Sequence, residues 1–115
     1  MAHHPLEETL ELLDRSGGDH LELLDLEGAT VEVGRYAAGE DTPKNPHTED
    51  EIYQIVSGAG KIRVGDETHA VGPGDVVYVE RGLEHDFFDI DEEIVALITF
   101  LSTEPSSYSI REPET

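Results

Sequence analysis

From Glu51 to Leu101 the chain is built of short runs in which apolar residues recur at every second position, with punctuation about every eight to twelve residues. The runs fall at 52–57, 61–64, 68–71, 75–80, 85–90 and 94–101. Between them lie Ser57-Gly58-Ala59-Gly60, Gly65-Asp66, Gly72-Pro73-Gly74, Arg81-Gly82 and Asp91-Glu92. A two-residue period presents alternate side chains to opposite faces of a sheet, so these segments are strands and not helices. Many short strands joined by glycine-rich turns specify an all-β antiparallel sandwich or barrel. Two further strands are expected at 21–24 and 30–36, separated by a turn at Glu27-Gly28.

Only the N-terminus departs from this period. Leu6, Leu10 and Leu13 stand at i, i+4 and i+7 with acids elsewhere on the wheel, which predicts one short amphipathic helix over 5–15. Pro5 suits its first turn and Ser16-Gly17-Gly18 stops it. The expected organisation is an N-terminal segment with the helix (1–19), a barrel (20–102) and a loosely held tail (103–115) in which periodicity is lost.

With 115 residues the chain has room for one core, and at this size roughly two thirds of the unfolded surface can be buried without staples. It contains no cysteine, which removes thiol nucleophiles, disulfides and thiolate zinc sites. The formal net charge is −20, from 27 Asp plus Glu against 7 Lys plus Arg. Such a surface repels phosphate backbones and anionic lipids, so neither nucleic acid nor membrane is an expected partner. The acids are spread between apolar residues at strand spacing, which argues against disorder. Together with the scarcity of lysine (Lys44 and Lys61) they fit a halophilic, acidic surface, because at molar salt the Debye length falls to about 3 Å and repulsion is screened. No apolar run is long enough to span a membrane and the first residues lack a signal-peptide pattern, so a soluble cytoplasmic protein is expected.

The chemistry is expected among the histidines. Six are scattered at 3, 4, 20, 47, 69 and 85, and singly each reads as a surface or core residue. In Asn45-Pro46-His47-Thr48-Glu49-Asp50-Glu51 the residues at 45, 47, 49 and 51 share parity, and an extended backbone directs them to one face. His85 opens another strand. Two imidazoles and a carboxylate converging at a barrel mouth form a set with open positions that suits iron, manganese, nickel, cobalt or zinc.

At these residues the sequence resembles the cupin superfamily. Gly39-x5-Asn45-x-His47-x3-Glu51-x6-Gly58 is similar to the first cupin motif, with Asn45 where the family has its first histidine. Gly74-x5-Glu80-x-Gly82-x2-His85-x3-Asp89 is similar to the second, with Glu80 in place of proline and Asp89 in place of asparagine. The resemblance implies a double-stranded antiparallel β-helix, or jelly-roll barrel, usually a homodimer, with one divalent transition metal near its middle. Carried over by position, it implies His47, Glu51 and His85 as metal ligands. Asn45 becomes a weak ligand or a hydrogen-bond partner of a metal-bound water.

With Glu51 inward, Tyr53 and Ile55 face in as well, as do Val77 with Val79 and His85 with Phe87. The expected pocket for a small-molecule ligand is therefore walled by Tyr53, Ile55, Val77, Val79 and Phe87. Glu49 and Asp50 are candidates for a general base, although a loop carboxylate in so acidic a chain is solvated by default. No nucleophilic triad, phosphate loop or dinucleotide fingerprint is present. Three functions fit: a metal-dependent enzyme of oxygenase, isomerase, decarboxylase or cyclase type, a binding or sensing module without turnover, and a metal-free structural barrel.

Overall fold

Two long, bent strands organise the molecule. The structure, a computed structural model, describes residues 3–40 and 46–101; Asn45 and the tail at 103–115 lie outside them. The elements run α1 (Leu6–Ser16), β1 (His20–Asp25), β2 (Ala29–Tyr36), β3 (Asp50–Val64), β4 (Glu67–Val71), β5 (Val76–Val79) and β6 (His85–Leu101). The start of β3 pairs with the end of β6 (Asp50 opposite Leu101), and the end of β3 pairs with the start of β6 (Val64 opposite His85). The first half of β3 also carries β5, and its second half carries β4. β2 lies along the C-terminal half of β6, and β1 along β2. All pairs are antiparallel, so the sheet folds over on the two shared strands into a jelly-roll barrel. Its core holds Tyr53, Ile55, Ile62, Phe87, Ile94 and Ile98.

The sequence places turns at 57–60 and 91–92, whereas a single strand runs through each. Register shifts interrupt the β3 and β6 ladder between Ile55 and Ser57, Ser57 and Ala59, and Ala59 and Lys61. The strands bend there and stay paired. The glycines permit contact instead of reversal. Gly58 has φ 94°, and a Cβ on it would lie 2.1 Å from the Glu93 carbonyl oxygen. Only glycine allows backbone to approach backbone this closely.

The outer face of the sheet has its own small core. Val33 on β2 and Val95 on β6 pack against Leu13 of α1, which is fully buried. Burying a leucine completely is worth about 2 kcal/mol. The helix ends where Gly17 enters the left-handed region at φ 74° and donates its N–H to the Asp14 carbonyl. Of the expected stripe, Leu13 is buried and Leu10 half-buried, while Leu6 is exposed. Val33 therefore serves the helix side, and the barrel interior takes the alternate residues of β2, among them Tyr36. No helix of the described residues is long and apolar enough to cross a membrane.

Candidate metal centre

Parity along β3 turns Glu51, Tyr53 and Ile55 into the barrel, all buried, and leaves Ile52, Gln54 and Val56 on the other face. On β6 the same rule turns His85 and Phe87 inward. His47 lies in the segment just before β3. The turn leading to His85 is fastened to that segment from two sides: Gly82 N–H donates to the His47 carbonyl at 2.8 Å, and Arg81 N–H donates to Asp50 Oδ1 at 2.9 Å. These ties hold the His47 and His85 segments side by side.

The result is a cluster of His47, Glu51 and His85 whose ligand atoms lie within 4.8 Å of one another. His85 Nε2 is 3.2 Å from Glu51 Oε1, and His47 Nε2 is 3.8 Å from the same oxygen. Bonds of about 2.0–2.2 Å set ligand atoms roughly 3 to 3.5 Å apart around a tetrahedral ion, so the cluster has the right size for one. His85 Nδ1 is 3.1 Å from the Leu83 carbonyl oxygen, and a carbonyl only accepts. Nδ1 therefore carries the proton, and Nε2 turns its lone pair toward Glu51. A metal-binding histidine is commonly oriented by such a contact.

Glu51 is 1% exposed, and its Oε1 has no hydrogen-bond partner. The two imidazole nitrogens approach that oxygen outside hydrogen-bond geometry. A buried, orphaned carboxylate oxygen is expensive unless a cation meets it, and the donor set of two imidazoles and a carboxylate suits a transition metal. Burial works against the charged carboxylate, but His85, the Tyr53 hydroxyl and the His47 ring outweigh it and hold the Glu51 pKa below its ordinary range. Burial likewise pulls the His85 pKa down. Glu51 and the Leu83 carbonyl push it back, to above the ordinary imidazole value. The hydroxyls of Tyr53 and Tyr36 interact with each other, and that of Tyr53 also with Glu51. Burial first, then neighbouring charged groups, Glu51 among them, drives both pKa values far upward, so both hydroxyls stay protonated, with Tyr53 as donor.

A cavity of about 550 Å³ opens above this cluster. His47, Glu51 and His85 line it together with Tyr53 and Phe87. Ile55 and Val79 sit in the barrel core and do not line it. Val77 packs at the margin of that core and lines a separate cavity of about 370 Å³ beside β4 and β5. Of the two loop carboxylates, Glu49 lines the larger cavity, while Asp50 is held by Arg81. His3 and His4 are exposed ahead of α1, and His69 is exposed beside Glu67 on β4.

Sequence reasoning missed the wall supplied by β1 and β2. Thr30, Glu32 and Tyr36 line the cavity from β2, and His20 from β1, with His20 Nε2 3.2 Å from the Tyr36 hydroxyl. The available signal was the parity of 30, 32 and 36, which Val31 and Val33 obscured by looking like the core face.

The family model of the cupin domain matches residues 32–101, more than half of the chain. An uncharacterized protein of Streptomyces coelicolor is 40% identical over 89 residues, covering 76% of this chain and 85% of that one. Among solved structures, the fold is similar to the DMSP lyase DddQ from Ruegeria pomeroyi, with TM-score 0.69 and 23% identity over 81% of this chain and 53% of the lyase. The chain thus spans about half the length of that lyase. KdgF from Halomonas sp. gives TM-score 0.67 at 15% identity, over 74% of this chain and 78% of that one. A cupin protein from Bacteroides fragilis gives 0.63 at 23% identity, over 84% and 89%. With the family model matched over residues 32–101 of a jelly-roll barrel, the chain belongs to the cupin superfamily.

Proposed function

We propose that this cupin is a metal-dependent enzyme that holds one divalent transition metal with His47, Glu51 and His85 and acts on a small organic molecule in the cavity above them. The observation that carries the reading is Glu51 Oε1, buried, without a hydrogen-bond partner, and faced by Nε2 of both histidines. In this site iron, manganese, nickel, cobalt or zinc supplies Lewis-acid or redox chemistry at the coordination positions the three residues leave open.

The chain's own groups divide the remaining work. The Leu83 carbonyl fixes the His85 ring, and the Tyr53 hydroxyl, kept protonated, donates toward Glu51. Phe87, nearly fully buried, and Phe100, packed at 5.3 Å on the His47 ring, keep water from the apolar side. Glu49 reaches the cavity from the segment before β3 and is placed to take up or release a proton at a bound molecule. At 15–23% identity the likeness to DddQ and KdgF speaks for the fold alone.

Elemental analysis of untagged protein tests the proposal. About one transition metal per chain is expected, with affinity reduced at least about 100-fold by Glu51→Ala or His85→Ala and unchanged by His3→Ala with His4→Ala. A protein that takes up no metal on dialysis, or loses it only in the His3 and His4 variant, contradicts it.

A further inference from the structure

The rim of the cavity carries one sign of charge. Asp19, Glu32 and Glu49 line it above Glu51, and no lysine or arginine of the described residues does. The lysine and arginines of the described strands and turns are engaged elsewhere: Arg35 with Asp14, Lys61 with Asp89, Arg63 with Asp86 and Arg81 with Asp50. Glu32 is half-buried midway along β2, opposite Glu22 on β1, and has no ion-pair partner among the described residues. Two carboxylates opposite one another on a sheet repel, and a cation between β2 and the cavity floor relieves that. A second feature points to a ligand in the same space, the orphaned and 1% exposed Glu51 at the floor. The intervening wall is aromatic: Tyr36 lies against Phe87 with ring centroids 4.6 Å apart, and both line the cavity with Phe100. Carboxylates combined with aromatic faces are the surroundings in which an organic ammonium group is held.

We infer that the cavity selects a small organic ammonium compound, its cationic end against Asp19, Glu32 and the aromatic wall and an oxygen donor directed to the floor. A carboxylate or phosphate of the same size meets three carboxylates lining the cavity, with no lysine or arginine among the described lining residues to receive it. The direction of the oxygen end rests on the metal reading above. The charge preference of the rim does not.

Three probes of one shape separate the possibilities: choline, its neutral isostere 3,3-dimethyl-1-butanol, and the anion 3,3-dimethylbutanoate. Each is titrated into the full chain, with and without bound metal, at one KCl concentration, and read by calorimetry or amide chemical shifts. Choline is expected to bind about tenfold more tightly than the neutral isostere, and the anion more weakly than either. The preference should shrink to about twofold in an Asp19→Asn, Glu32→Gln variant that melts as the parent does and keeps its metal content. Equal or better binding of the neutral or anionic probe, no binding of choline, or a preference that survives the double substitution overturns the inference. Failure to take up metal counts against the metal site alone, since the preference is read in metal-free protein as well.

Discussion

Glu51 and His85 are two of only four polar residues buried among the described ones, and unlike Asp86, which Arg63 grips through Nε and Nη2 at 2.9 and 3.0 Å, they face each other around an unfilled oxygen. Their titration gives a direct prediction. A protonated His85 cannot bind a metal, and its pKa lies above the ordinary 6.5 because Glu51 and Leu83 outweigh burial. Metal affinity should therefore fall as pH drops through that raised value, starting above pH 6.5 and losing about tenfold per unit below it. Calorimetric titrations from about pH 8 to about pH 5.5 check this, and a flat profile would show that His85 is not a ligand. The three cluster residues were legible because motif spacing and strand parity both singled them out. The second motif also explains Asp89, which stands where the family has asparagine and is the one described non-glycine residue with positive φ, at 46°. Short polar side chains tolerate that conformation. His20, Glu32 and Tyr36 gave no such local signal, since long-range pairing of β2 with β6 is what brings them to the cavity.

At the scale of elements, the site exists because β3 and β6 are continuous through their bends. Local rules read Ser57 to Gly60 as a reversal, because a glycine cluster is the usual mark of a turn. What decides otherwise is the approach of distant backbones: a Cβ on Gly58 would run into Glu93, and one on Gly60 would lie 3.0 Å from the Ile90 Cα. Sequence alone does not reveal which backbone comes near. Gly58→Ala should destabilise the barrel by about 2–4 kcal/mol, from a left-handed φ and an overpacked crossing together. Chemical denaturation measures it, and a change below about 0.5 kcal/mol would mean that the strands do not cross so closely. Gly28→Ala, with nothing within 4 Å of its added Cβ, is the control that should be nearly silent. The helix was legible in type and extent, and only its inward face was misjudged at Leu6, which lies beyond the edge of the Val33 and Val95 patch.

For the whole molecule, the charge of −20 is laid over an ordered barrel, and the described lysine and arginines on the strands and turns are each already paired with an acid. The remaining carboxylates repel one another with little opposing charge. Melting temperature should rise by at least several degrees between about 0.1 M and about 2 M KCl as that repulsion is screened. A flat or falling curve would mean that the acids are too dispersed to strain the fold. The acidity was visible at once in the composition, but its division was not: most acids cover the surface, a few ring one cavity, and Glu51 forms its floor. Crystals grown with manganese, iron or zinc and measured across the absorption edge of the metal locate the ion without reference to activity. One anomalous peak per chain is expected within bonding distance of His47, Glu51 and His85. A peak confined to His3 and His4, or no peak in that cluster at saturating metal, would contradict it.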